Sequence, residues 1–347
     1  AGPARQIRQS HIADERAVGG CFLAAAGGVM GGPGRRPVTV MKFRGRQRTV
    51  TTAELQGLVA KFRKFEGSDA AGLEEQRSGL AYLEKALPVP DDARVEAVDA
   101  GGVAAEWVRA PGAGAETGKA LLYLHGGGYA LCGLGTHRLL AYNLSRAAGM
   151  PCLLLDYRLA PEHPYPAAIE DAAAGYDWLL AQGYRADRLA VAGDSAGGGL
   201  TLAAMARLRQ RGWPLPGALA CLSPWTDMTM TGASIEGLAA ADPLVRRDSL
   251  ERCAQWYLGN GDRRDPLASP LFGDLAGLPP LLIQVGGAEI LLDDAARLAA
   301  RAERAGVTVD YQCWEQMFHV WQLYAPMLSE ARDAIAAIGV FLNQHVK

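Results

Sequence analysis

Short strand-like runs alternate along most of this chain with longer stretches whose apolar residues recur at helical spacing. The runs at 94–100, 103–109, 120–124, 152–155, 189–192, 218–222, 281–285 and 307–312 have the length of strands. Helical patterning fills most of the gaps, at 138–148, 167–181, 200–210, 293–305 and 326–342. The pattern therefore predicts an α/β protein with a mostly parallel, eight-stranded sheet flanked by helices on both faces. Gly101-Gly102 between the first two runs predicts that these two form an antiparallel hairpin.

Two segments break the alternation. In the first, Thr51-x-x-Glu54 reads as a capping box, followed by Leu55, Leu58, Val59, Phe62 and Phe65. A second amphipathic stretch with Leu73, Leu80, Leu83 and Leu87 stops at Pro88-Val89-Pro90. Two such helices cannot bury a core alone, so they must lie on the larger body, and a lid over the active site is the expected place. The other segment, 226–269, holds helical pieces such as 249–258 and is assigned to the same lid. The expected division is thus a helical cap from 45–87 and 226–268, and a catalytic domain from 88–225 and 269–347. Residues 1–40, rich in Gly, Ala and Arg, are expected to be a leader, disordered or foreign to the native chain, with Met30 or Met41 as a natural start. Val18-Gly19-Gly20-Cys21 has a passing likeness to a lipoprotein cleavage site, but Asp14, Glu15 and Arg16 stand where an apolar core would be needed.

Composition narrows the field of functions. With 347 residues, 49% hydrophobic and 21% charged, the chain suits one large domain and a small accessory one. A net charge of −2 gives no footprint for nucleic acid or an anionic membrane surface. No apolar run approaches the ~18–20 residues that span a bilayer. The six cysteines, Cys21, Cys132, Cys152, Cys221, Cys253 and Cys313, include no Cys-x-x-Cys pair. They read as buried thiols of a reducing compartment, which points to a bacterial cytoplasm with export left open, and to no metal site.

The chemistry gathers at Gly193-Asp194-Ser195-Ala196-Gly197. An apolar strand runs into this serine and a helix-forming stretch follows at once, the arrangement of a nucleophile elbow. Gly193 and Gly197 lack side chains that would collide with the adjoining strand and helix. A second strand ends in His125-Gly126-Gly127-Gly128, whose glycines can turn backbone N–H groups toward a ligand. The N–H groups of Gly126, Gly127 and Ala196 are the expected oxyanion donors, with His125 a brace for the loop. Asp194 and Asp156 are expected to support the site from behind. A phosphate-binding loop would need a Lys-Ser/Thr pair or a G-x-G-x-x-G, and neither is present.

The base must come from six histidines. His11 lies in the leader and His345 at the end, while His137 opens a helix and suits a cap or a pocket rim. His163 lies in a proline-rich loop, whereas His319 follows the last strand at the same sheet end as Ser195. For the acid, Glu289 lies in the turn after a strand, while Asp293 and Asp294 fall inside the next helix. The order Ser195, Glu289, His319 agrees with α/β-hydrolases and with neither the chymotrypsin nor the subtilisin order. A neutral base implies activity rising with pH through about 6–7.

Together with 156–168, Asp-Tyr-Arg-Leu-Ala-Pro-Glu-His-Pro-Tyr-Pro-Ala-Ala, these motifs resemble the hormone-sensitive lipase family, the bacterial family IV esterases. The likeness covers roughly 50–345, and the spacing of Ser195, Glu289 and His319 fits it. Many members carry Asp in an Asp-Pro-Leu motif where this chain has Glu289-Ile290-Leu291, so it resembles the Glu-bearing branch. The resemblance implies a carboxylesterase for short or medium acyl esters, working without cofactor through an acyl-enzyme. It also implies that Asp156, Tyr157 and Arg158 buttress the oxyanion loop. Pro161–Pro166 suits a stiffened loop equally well. Trp225, Met228, Met230, Leu238, Trp256 and Tyr257 either line an acyl pocket or form the lid's own core. The triad also permits an amidase, a thioesterase or a lipase, although no strongly amphipathic surface helix announces a lipase. A ligand receptor on this fold that has lost the histidine is the reading from a different class, and His319 is retained here. The expected partner is a small-molecule ester, with neither nucleic acid nor membrane; an edge strand or the lid offers a route to a homodimer.

Overall fold

The computed structural model describes residues 52–64 and 72–347, without the side chains of 81–83 and 115. The expected leader at 1–40, with Thr51 and Phe65, lies outside the described residues, as does the side chain of Leu83.

Among the described residues, eight strands form one sheet in the order β1-β2-β4-β3-β5-β6-β7-β8. They are β1 Arg94–Asp99, β2 Ala104–Arg109, β3 Ala120–Leu124, β4 Cys152–Leu155, β5 Leu189–Asp194, β6 Ala218–Leu222, β7 Leu281–Gly286 and β8 Val309–Trp314. The first two make the expected antiparallel hairpin, and β2 runs antiparallel to β4. Every other pairing is parallel, with Leu124 opposite Gly193 and Asp194 opposite Leu222 at the carboxyl edge.

Side chains alternate across the sheet, so each central strand feeds two cores. On one face Leu122, Leu124, Val191, Leu219 and Ile283 pack with α4 (Ala167–Ala181), α5 (Ala196–Gln210) and α8 (Leu292–Arg304). On the other, Leu121, Tyr123, Ala190, Ala220 and Leu282 pack with α3 (Leu134–Ala148) and α9 (Ser329–His345). The result is the three-layer α/β architecture, a mostly parallel sheet with helices on both faces, that the strand and helix pattern predicts.

The two segments that interrupt the pattern join different cores. Leu55 and Leu58 of α1 (Ala53–Arg63) belong with α3 and α9. Its N-cap is Thr52, whose hydroxyl accepts Leu55 N–H at 3.2 Å, one residue beyond the expected Thr51. A second helix, α2 (Leu73–Ala86), follows it. The insertion supplies a one-turn helix, α6 (Ser234–Gly237), and α7 (Arg247–Leu258). Buried Trp225, Met228, Met230 and Tyr257, and the partly buried Leu238 and Trp256, all join the core of α4, α5 and α8. They are not a separate lid core. Arg63 of α1 donates to Ala240 O at 3.0 Å, which ties the two segments together.

Element ends differ where local bonds override pattern. Val307 N–H closes the last turn of α8 onto Ala302 O at 3.0 Å, so β8 starts at Val309. Helix α5 starts at Ala196, ahead of the expected 200, although its first turn holds three glycines of low helix propensity.

Candidate active site

Strand β5 ends at Asp194, and Ser195 turns the chain into α5 with φ 52° and ψ −120°. Ser195 N–H donates to Leu222 O at 2.8 Å and Ser195 O accepts from Trp225 N–H at 2.9 Å, which locks this conformation, one that costs ~1–3 kcal/mol. The flanking glycines are obligatory for close approach. A Cβ on Gly193 would lie 2.3 Å from Gly197 O, and one on Gly197 would lie 2.0 Å from Leu124 O. The serine is 8% exposed, and its hydroxyl has no hydrogen-bond partner among the described residues, so it can rotate.

The glycine loop follows β3 beside this elbow. Gly126 N–H does not face an open site, because it donates to Asp194 Oδ1 at 3.0 Å. That corrects the expected donor set. Gly127 and Gly128, at φ 105° and 61°, have N–H groups without a partner among the described residues. So has Ala196 at the positive end of α5. The free donors are therefore Gly127, Gly128 and Ala196, with Gly126 serving as the anchor.

Behind the loop, Asp194 is the hub. Its Oδ1 also accepts Tyr123 Oη–H at 2.8 Å, and Oδ2 lies 3.3 Å from His137 Nε2. Burial pushes the carboxyl up, but His137 and these hydrogen bonds outweigh it and hold the pKa below the ordinary value. His137 is buried inside α3 with Thr136 Oγ1 at 2.8 Å from Nδ1; it belongs to this support, not to a pocket rim. His125 is a brace as expected. Its Nδ1 donates to Gly126 O at 2.7 Å, and its ring stacks on Tyr157 at 4.2 Å. Burial, aided by His137, lowers its pKa to about 3, so it stays neutral.

The motif after β4 divides its expected roles unevenly. Tyr157 Oη–H donates to His125 O at 2.7 Å and is the buttress. Asp156 is not one: its side chain is exposed and makes no hydrogen bond to the loop. Arg158 pairs with Asp171 at 2.7 Å. The alternation of side chains past the strand end turns 156 and 158 outward and 157 inward. Arg77 of α2, missed in the sequence, donates to Ala130 O at 2.9 Å, Ala160 O at 3.0 Å and Glu162 at 2.7 Å. It knits the glycine loop to this motif.

Glu289 follows β7 and is fully buried. Its Oε1 lies 3.2 Å from His319 Nδ1, while Oε2 accepts Ser223 Oγ–H at 2.7 Å and Gly286 N–H at 3.0 Å. Asp293 and Asp294 face elsewhere, to Ser234 N–H at 2.9 Å and to Thr226 and Asp227 N–H at 2.7 and 2.8 Å. Burial pulls the His319 pKa down, but Glu289, Asp242 and Asp194 together raise it above the ordinary value. Ser223 was not legible as a partner. Besides holding Glu289, its hydroxyl accepts Val320 N–H at 3.1 Å, which pins the residue after His319. His163 is exposed.

Comparison with known proteins identifies the family. The family described as alpha/beta hydrolase fold matches residues 121–323. An acetyl-hydrolase of Streptomyces hygroscopicus is 50% identical over 248 residues, 72% of this chain and 82% of its own. An esterase of Acinetobacter venetianus is 36% identical over 266 residues, 76% of this chain and 87% of its own. Among solved structures, an esterase from the bacterial hormone-sensitive lipase family superposes with a TM-score of 0.83 at 47% identity, covering 86% of this chain and all of that one (100%). By the family match, by identity over most of both chains and by fold, this chain belongs to the hormone-sensitive lipase family of α/β-hydrolases and is a carboxylic ester hydrolase.

Proposed function

We propose that the enzyme hydrolyses short- to medium-chain acyl esters through a Ser195-His319-Glu289 triad, with the N–H groups of Gly127, Gly128 and Ala196 as the oxyanion hole. The observation that carries this reading is the buried contact of Glu289 Oε1 with His319 Nδ1 at 3.2 Å. It fixes the proton on Nδ1 and leaves Nε2 basic. His319 Nε2 takes the hydroxyl proton as Ser195 Oγ attacks the ester carbonyl, and the carbonyl electrons move onto the oxyanion. Collapse expels the alcohol, which leaves with the proton from His319. Water, deprotonated by the same nitrogen, then attacks the acyl-serine and releases the acid.

The cap supports a short acyl chain. Cys253 of α7 lies so close to Gly128 that a Cβ there would sit 2.4 Å from its Sγ, and Tyr257 stacks on Tyr129 at 3.9 Å. A helix pressed this tightly on the loop bounds the space above the carbonyl. The relatives named acetyl-hydrolase and, in Pseudomonas putida, ethyl acetate hydrolase point the same way. In this reading α1, α2 and 226–268 act as the lid, the substrate is a small free ester, and the enzyme works in the bacterial cytoplasm. No helix among the described residues is long and apolar enough to cross a membrane.

The test is hydrolysis of p-nitrophenyl acetate through dodecanoate by wild type, Ser195→Ala, Glu289→Gln and Asp293→Asn. Activity should peak at short chains, vanish in Ser195→Ala and collapse in Glu289→Gln alone of the two acid variants. A maximum at dodecanoate, or an active Ser195→Ala, would overturn the reading.

A further inference from the structure

The turn that carries Glu289 has a second face. While the Glu289 side chain meets His319, the next peptide is gripped by the insertion. Ile290 N–H donates to Asp242 Oδ2 at 2.9 Å, and Ile290 O accepts Ser234 Oγ–H at 2.6 Å. Asp242 is 6% exposed, and its other oxygen accepts the N–H groups of Leu244 and Val245, both at 2.9 Å. Among the described residues no Lys or Arg pairs with it. A carboxylate buried with three backbone donors and no cation is costly unless a positive charge forms nearby.

We propose that Asp242 is a positioning residue for ester hydrolysis: from the cap it holds the Glu289 turn through Ile290 N–H and places a second negative charge one residue from the carboxylate that pairs with His319. The inference rests on the triad reading and deepens it. Three carboxylates act on His319 from three elements: Glu289 from the turn after β7, Asp242 from the cap and Asp194 from the elbow. Burial raises the Asp242 pKa, and His319 with the three N–H groups limits the rise. Two residues before it, Ala240 O is held by Arg63 of α1, so both cap segments fix this carboxylate in place. The basicity of His319 thereby depends on a docked cap.

The experiment is the pH dependence of kcat/KM on p-nitrophenyl acetate for wild type, Asp242→Asn, Asp242→Ser and Ser234→Ala, with Ser195→Ala alongside. Losing the charge should move the acid limb of both Asp242 variants down by about half a pH unit or more, with kcat falling more than KM changes. Ser234→Ala cuts the neighbouring uncharged bond to the same residue and should leave the limb in place. Either variant suffices if the other does not fold. An unmoved limb in a folded Asp242 variant, or an equal shift in Ser234→Ala, overturns the inference. An active Ser195→Ala overturns the triad itself, so the two failures are distinct.

Discussion

Ser223→Ala is the sharpest probe of how the acid is held. The hydroxyl donates to a buried carboxylate oxygen at 2.7 Å and accepts a buried N–H at 3.1 Å, so one substitution breaks both bonds. A hydrogen bond to a charged group is worth ~1.5–3 kcal/mol and a neutral one ~1 kcal/mol, which sums to a loss of roughly 2.5–4 kcal/mol. For a chain of this size that lowers Tm by about 3–6 °C. Glu289 keeps Gly286 N–H and His319 but gains freedom to rotate, and the loop at Val320 loses its pin. A fall of ~10–100-fold in kcat/KM follows, equivalent to ~1.4–2.7 kcal/mol in the barrier. Steady-state kinetics on p-nitrophenyl butyrate and a thermal melt read both effects. If kcat/KM stays within about twofold and Tm within about 1 °C, the hydroxyl does not hold the acid and the reasoning fails.

Other outcomes follow from the same geometry. Because neighbouring carboxylates raise the His319 pKa above 6.5 despite burial, activity should fall as pH drops through an inflection above 6.5; an inflection below it in the pH–rate profile contradicts the assignment. Asp294 is raised by burial from 3.8 to about 7, so the stability it lends is full below 3.8 and lost as pH climbs to about 7. Asp294→Asn should remove that decline, so the Tm of the variant relative to wild type must rise between about pH 4 and 7, and a constant difference refutes it. Gly128→Ala places a Cβ 2.4 Å from Cys253 Sγ at φ 61°, which should reduce kcat by ~10²-fold. Adding Cys253→Ala should restore part of that rate, and a double variant no better than the single one would show that the contact is not the cause.

Much of this site was legible because its parts are local. Leu189–Asp194 is an unbroken buried strand, Gly193 and Gly197 flank the serine at fixed offsets, and Glu289 sits in a turn where Asp293 and Asp294 are already helical. What escaped depends on which way a group points once distant segments meet. Pattern cannot say which of three glycines turns its N–H outward; Asp194, remote in sequence, claims Gly126 and so moves the open donors to Gly127 and Gly128. Tyr157 rather than Asp156 braces the loop because the strand's alternation continues past its end. Ser223, Asp242 and Arg77 carry no motif. Their partners lie far along the chain, and a serine, a buried aspartate or a surface arginine reads as ordinary until the sheet order is known.

The central claim is that Ser195 becomes covalently acylated, and trapping tests it most directly. Wild type and Ser195→Ala are treated with diethyl p-nitrophenyl phosphate, which acylating serines attack with loss of p-nitrophenol, and intact mass and peptide mapping follow. One diethylphosphoryl group per wild-type chain, located on Ser195, with lost esterase activity and no adduct on Ser195→Ala, is the predicted result. An adduct on another residue, or full inhibition of wild type with Ser195 unmodified, would contradict it.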